Sequence, residues 1–227
     1  TSFKTRIPFL KAIQKEIKAN SVEILSVFQL ESALPEGRAN GELQRTLDQI
    51  ERFVELLEEG SFIQATLNTN GLDLRKMLYP IGPIVVFGAS NFPLAFSTAG
   101  GDTISALAAG CPVVVKAHPY HAGTSELVAQ AIHLAIKKSK VPTEAFSHLG
   151  GQSHELGMSL VSHPLVKGVG FTGSFTGGKS LFDLVQQRDE PIPFFAEMGS
   201  VNPIFILENK VKKDSILPTA LASSITL

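Results

Sequence analysis

The sequence predicts an α/β fold: a parallel sheet with helices on both faces, preceded by an all-helical N-terminal segment. Three observations carry that expectation. From Ile81 onward, short β-branched apolar runs alternate with amphipathic helical patterns, as strands of a sheet covered on both faces do. Glycine-rich or polar turns follow the runs. Apolar residues make up 44% of the 227 residues and charged residues 18%, which fits a well-cored chain of one large domain or one and a half.

Residues 1–60 read as helices. Phe3, Ile7, Leu10, Ile13 and Ile17 recur at helical spacing, and so do Ile24, Val27, Phe28 and Leu34. Pro35-Glu-Gly37 breaks the pattern, and Leu43, Leu47, Ile50, Val54 and Leu57 resume it until Gly60. The first helix is basic (Lys4, Arg6, Lys11, Lys15, Lys18) and the third acidic (Glu42, Asp48, Glu51, Glu55, Glu58, Glu59). Such runs are as a rule solvated helix faces, although opposite signs also favour side-by-side packing. Residues 1–60 are thus expected to be a helical lead-in, a scaffold without chemistry, packed on a second unit of residues 61–227.

In that second unit, the apolar runs at 84–87, 113–116 and 166–171 predict strands. Helical patterns at 96–109, 125–138 and 179–188 follow them. A further run, 192–196, leads into Glu197, and a last helix starts at Ser215 and runs to Leu227. Ligands in parallel sheets gather beyond the carboxyl ends of the strands. Asn91, Lys116, Ser174 and Glu197 each fall at or just past such an end.

Composition excludes several partners. A net charge of −1 argues against nucleic acid or anionic membrane. A single cysteine rules out an internal disulfide framework and fits a reducing compartment. No apolar run approaches the roughly 20 residues that span a bilayer, and residues 1–20 lack a signal-peptide core. The expected address is cytoplasmic. His118 and His121 flank Pro119 without a third ligand nearby, so no metal is expected.

The chemistry concentrates in Phe171-Thr-Gly-Ser-Phe-Thr-Gly-Gly178 and Phe195-Ala-Glu-Met-Gly-Ser-Val-Asn-Pro203. A glycine turn feeding a helix N-terminus presents free amides and a positive dipole end to a phosphate, and Ser174 adds a hydroxyl. The same turn also reads as a tight connection whose glycines serve only backbone dihedrals. Gly168-Val-Gly-Phe-Thr-Gly173 spells the dinucleotide signature by letter, but its first glycines fall within the strand, so the literal match is rejected. Glu197 ends an apolar strand, where lost solvation is expected to raise its pKa toward that of a useful base. It reads equally as a strand-end glutamate paired with a lysine. Asn91, in Gly88-Ala-Ser-Asn-Phe-Pro93, suits an oxyanion donor or a turn former. Lys116 reaches a ribose hydroxyl or phosphate from a strand end, or is simply solvated. Cys111, before Pro112 at the entrance to a core strand, reads as packing.

Together these segments resemble the aldehyde dehydrogenase superfamily over essentially the whole chain. Asn91-Phe-Pro93 resembles its catalytic asparagine motif and Val115-Lys116 its cofactor-ribose lysine. Phe171-Thr-Gly-Ser174 with Gly178 resembles its phosphate turn, and Glu197-Met-Gly-Ser with Asn202-Pro203 its general-base segment. Within the family, 88–97 and Lys116-Ala-His-Pro look most like α-ketoglutaric semialdehyde dehydrogenases and their NADP-preferring relatives. The resemblance implies a Rossmann-like cofactor domain, with Glu197 and Asn91 catalytic. It implies cofactor contacts from Lys116, His118, Thr172, Gly173, Ser174 and Gly178. It further implies NADP or NAD as cofactor, a small-molecule aldehyde as substrate, oxidation through a cysteine thioester, and a homo-oligomer when full length.

Departures qualify the match. Ser90 stands where the family usually has tryptophan, and Pro119 where a ribose-chelating glutamate is common. Loss of that carboxylate removes repulsion against a 2′-phosphate and favours NADP. The nucleophilic cysteine is absent, so the chain is expected to be an inactive internal fragment. Two rivals stay open: a non-catalytic nucleotide-binding or scaffold module, and an acylating dehydrogenase. Glu197 argues against the latter, because acyl transfer gains nothing from a hydrolytic base. A short-chain dehydrogenase is less favoured, since neither Tyr79 nor Tyr120 has a lysine four residues on.

Overall fold

A computed structural model describes residues 2–213 and 215–226. Thr1, Asp214 and Leu227, the last of which falls in the helix expected from Ser215 onward, lie outside the described residues. Three helices open the chain: α1 (Phe3–Ala19), α2 (Ser21–Ser32) and α3 (Glu36–Glu59). Ser2 caps α1 by accepting from the Lys4 amide, and Gly60, in the left-handed region at φ 85°, closes α3. The break after α2 falls at Ala33–Pro35, so Glu36 and Gly37 already belong to α3.

A short hairpin, β1 (Thr66–Asn68) and β2 (Leu74–Lys76), follows. The sequence reading missed it because all of its residues are exposed and no apolar alternation marks it. The main sheet contains β3 (Ile84–Phe87), then α4 (Gly101–Ala109) and β4 (Val113–Lys116), then α5 (Ala122–Ser139) and β5 (Phe146–Leu149). It continues through α6 (His154–Ser162), β6 (Gly168–Thr172), α7 (Phe175–Gln186) and β7 (Phe194–Glu197). Helices α8 (Glu208–Lys213) and α9 (Leu217–Thr226) end the described chain.

Neither β5 nor α6 was expected. As an edge strand, Phe146-Ser-His-Leu149 is only part buried and carries no continuous apolar signal. The helix expected at 96–109 begins only at Gly101. A turn precedes it, in which a side chain at Gly100 would meet the Ala95 carbonyl oxygen at 2.7 Å.

The five strands run parallel in the order β5-β4-β3-β6-β7. Strand alternation sorts side chains to two faces. Val86, Val113 and Val115 pack with α1, α2, α3, α4 and α5 residues such as Ile13, Phe28, Ile50, Ile104 and Ile132. Val85, Phe87, Val169 and Phe171 pack with Val161 of α6 and Val185 of α7. The chain therefore winds outward from β3 through β4 to β5, then returns to the other side of β3 at β6. That reversal opens a crevice between the carboxyl ends of β3 and β6, where open parallel sheets bind ligands.

Candidate active site

The crevice is built from the loops that leave β3, β6 and β7. A cavity of about 420 Å³ there is lined by Ser90, Asn91, Phe92, Phe96 and, across from them, Thr172, Gly173, Ser174, Glu197, Met198 and Gly199. Backbone pairing fixes the second wall. Thr172 lies opposite Glu197 in the β6–β7 register, and the Gly173 amide donates to the Glu197 carbonyl at 3.0 Å.

Ser174 caps α7, its hydroxyl accepting from the Gly177 amide at 3.2 Å while its carbonyl accepts from Gly178. The hydroxyl proton stays free to donate. The amides of Phe175 and Thr176, in the first turn, have no intrahelical partner by helix geometry. This set of donors at a positive helix end suits a phosphate.

None of the glycines in the turn has a positive φ, so backbone conformation is not why they are glycine. Packing is the reason. A Cβ on Gly173 would meet the Phe171 ring at 2.8 Å, and one on Gly178 would meet Met198 Sδ at 2.5 Å. Gly178 is buried behind the cavity wall, where it lets α7 seat against the residue next to Glu197. Gly168 and Gly170 are strand residues paired with Ile84 and Val86, which excludes the literal dinucleotide signature.

Lys116 and His118 stand at the carboxyl end of β4, one strand over from the crevice and outside the lining. Burial lowers the Lys116 pKa. Burial, then the neighbouring His121 and Lys116, push His118 down to about 4, so its ring is neutral near pH 7. Its Nδ1 accepts from the Tyr120 amide, which leaves the proton of the neutral ring on Nε2 as a donor.

Two expectations fail here. Glu197 is exposed rather than desolvated, because β7 is the edge strand of the sheet and has no outer neighbour among the described residues. Glu42, read as part of a solvated acidic face, is 2% exposed, and its Oε1 accepts from the amides of Leu94 (2.8 Å) and Ala95 (3.1 Å) just past Asn91. The helical segment thus contacts the loop that carries Asn91.

Reasoning from sequence also missed His121. It is fully buried, and its Nε2 donates to the Ala89 carbonyl at 2.7 Å. Asp102, on the first turn of α4, lies against Gly170. Burial, then the charge of Glu197, raise its pKa, although solvent reaches one side of the residue. No spacing in the chain pointed to these contacts, which join residues far apart in sequence.

Cys111 is buried at the amino end of β4, the opposite end of the strands from the crevice, and packs as expected. Among the described residues, no group of three or more His, Cys, Asp or Glu is placed to hold a metal. No helix among them is long and apolar enough to cross a membrane.

The model of the aldehyde dehydrogenase family matches residues 1–225. The chain belongs to the aldehyde dehydrogenase family. It is 45% identical over 231 residues to alpha-ketoglutaric semialdehyde dehydrogenase 2 of Azospirillum brasilense, covering 98% of this chain and 44% of that relative. It is 47% identical over 215 residues to the alpha-ketoglutaric semialdehyde dehydrogenase of Acinetobacter baylyi, covering 91% and 40%. The chain therefore spans about two fifths of the length of these relatives. Among solved structures, glyceraldehyde-3-phosphate dehydrogenase GapN of Methanocaldococcus jannaschii, complexed with NADP, superposes with a TM-score of 0.77 at 21% identity. That match covers 89% of this chain and 43% of the other. Methylmalonate-semialdehyde dehydrogenase of Oceanimonas doudoroffii superposes at 0.78 with 19% identity, covering 89% and 40%. At these identities, the two structures speak to the fold of this aldehyde dehydrogenase family member and not to its substrate.

Proposed function

We propose that this chain is the cofactor-binding part of an NAD(P)-dependent aldehyde dehydrogenase that oxidises a semialdehyde, of the α-ketoglutaric type, to its acid. The observation that carries this reading is the meeting of Asn91 and Glu197 across one cavity, beside the α7 amides. The donor set fits a dinucleotide: free amides and the Ser174 hydroxyl at α7, with Lys116 and the His118 Nε2–H at the carboxyl end of β4. When bound there, the nicotinamide cofactor supplies the hydride acceptor. Pro119 puts no carboxylate near the ribose, which favours NADP.

In this reading, the Asn91 amide donates to the oxygen of the aldehyde carbon as negative charge develops on it. Glu197, open to solvent at the end of β7, takes a proton from the water that releases the acid. The substrate is held meanwhile as a cysteine thioester. Cys111 is not that thiol, since the length of the strands separates it from Asn91, so the nucleophile comes from outside these residues.

The test uses the full-length gene product. Glu197→Gln should keep the first-turnover burst of reduced cofactor and lose steady-state rate by on the order of 10²–10⁴-fold. An unchanged steady-state rate without acyl-enzyme build-up would overturn the role. Asn91→Ala should lower kcat by on the order of 10²–10³-fold.

A further inference from the structure

The segment bearing Asn91 has no regular secondary structure between the end of β3 and the start of α4. An oxyanion donor must nonetheless be held to within about an ångström, since a misplacement of that size costs on the order of 10²-fold in rate. Within the segment, the Ala89 amide donates to the Phe96 carbonyl at 2.8 Å and closes a loop around Asn91. Two buried side chains from distant parts of the chain tie that loop to the rest of the molecule, one near each end.

Before Asn91, His121 donates to the Ala89 carbonyl at 2.7 Å while its Nδ1 meets the Ser125 hydroxyl at 3.0 Å. After Asn91, the Glu42 carboxylate accepts from both the Leu94 and Ala95 amides. The same face of α3 flanks the cavity walls: the Arg38 guanidinium lies 4.3 Å from the Phe92 ring centroid and that of Arg45 4.8 Å from Phe96.

Packing alone does not account for Glu42. Burying a carboxylate costs several kcal/mol before its partners offset it, and a hydrophobic residue of similar size commonly does as well or better in a core. Its Oε2 is left without a hydrogen bond among the described residues, with Arg38 Nε only at 3.6 Å. What the carboxylate provides is one oxygen that two consecutive amides share, three and four residues past Asn91.

We infer that Glu42 is a positioning residue. From α3 it fixes the Asn91 segment through the Leu94 and Ala95 amides, with His121 holding the other end at Ala89. This rests on the reading of Asn91 as the oxyanion donor.

A pair of substitutions in the full-length enzyme separates amide anchoring from charge. Glu42→Asp keeps the charge but withdraws the carboxylate by one methylene. It should lower kcat by about 10- to 10²-fold with the KM for NADP unchanged. Glu42→Gln removes the charge but keeps an acceptor oxygen at full reach, and should hold kcat within about threefold of wild type. The reverse order would overturn the proposal, because pairing with Arg38 would then be what matters.

In an Asn91→Ala background, Glu42→Asp should cost nothing further in kcat. A full additional loss there would mean that Glu42 acts generally on the structure and not through Asn91. If Asn91→Ala alone leaves kcat intact, the oxyanion reading itself fails, which is a separate result. His121→Asn, which withdraws the Nε2 donor from Ala89, repeats the test from the other end should Glu42→Asp not fold.

Discussion

At the scale of single residues, His118 links burial to pH. Its ring is half-buried beside His121 and Lys116, and its pKa falls from 6.5 to about 4 on folding. Between those values, the unfolded chain takes up a proton that the folded chain refuses. The stabilising contribution is therefore complete above pH 6.5 and is lost as pH falls toward about 4. The melting temperature should drop less between pH 7 and pH 4.5 for His118→Asn than for the wild type. Equal drops would show that His118 does not carry the effect. Glycine choice is decided at the same scale. The turn after β6 was legible as a glycine-rich run, but its reason was not. Gly173 and Gly178 lack side chains because Phe171 and Met198 occupy that space, and ring positions are set by the packing of β6 and β7 against α7.

At the scale of elements, helices cap one another across the molecule. The α5 N-terminus has no capping side chain of its own. Glu31, near the end of α2, accepts instead from the Gly123 amide (2.7 Å), the Thr124 amide (2.8 Å) and the Thr124 hydroxyl (2.7 Å). Removing a partly buried acceptor of this kind leaves donors unsatisfied and costs about 1–3 kcal/mol. Glu31→Ala should lower the urea midpoint accordingly with the slope unchanged, and an unmoved midpoint would show that water replaces the carboxylate without penalty. The acidic and basic helix faces divide along the same line. Lys11 pairs with Glu58 at 2.7 Å on the surface, where such a pair contributes little, whereas Glu42 is drawn inside by the loop amides. Charge patterning in the sequence made the first visible and concealed the second, because both look alike until α3 is placed against residues 94 and 95.

At the scale of the whole molecule, one apolar cluster runs from Leu10 and Ile13 of α1 through Ile104 and Ile132 to Val113 and Val115 of β4. Arg6 also donates from α1 to the Ala108 carbonyl. A core shared in this way makes partial unfolding costly, since separating the helices would expose both sides. In the full-length protein, the slowest-exchanging amides of α1 and β4 should open with the same free energy. Exchange of α1 at clearly lower free energy would mark residues 1–60 as a unit that opens by itself.

The sequence by itself determined the class of the fold, where its strong strands fall along the chain and the chemical residue types at their carboxyl ends. Those follow from local periodicity and from turn chemistry that a few neighbouring residues dictate. Tertiary structure alone decided the rest: the β5-β4-β3-β6-β7 order, the exposure of Glu197 at a sheet edge and the capture of the Asn91 segment by Glu42 and His121. Each of these depends on groups brought together from distant parts of the chain. No local pattern records such a meeting, because the energy that fixes it exists only once the layers have packed.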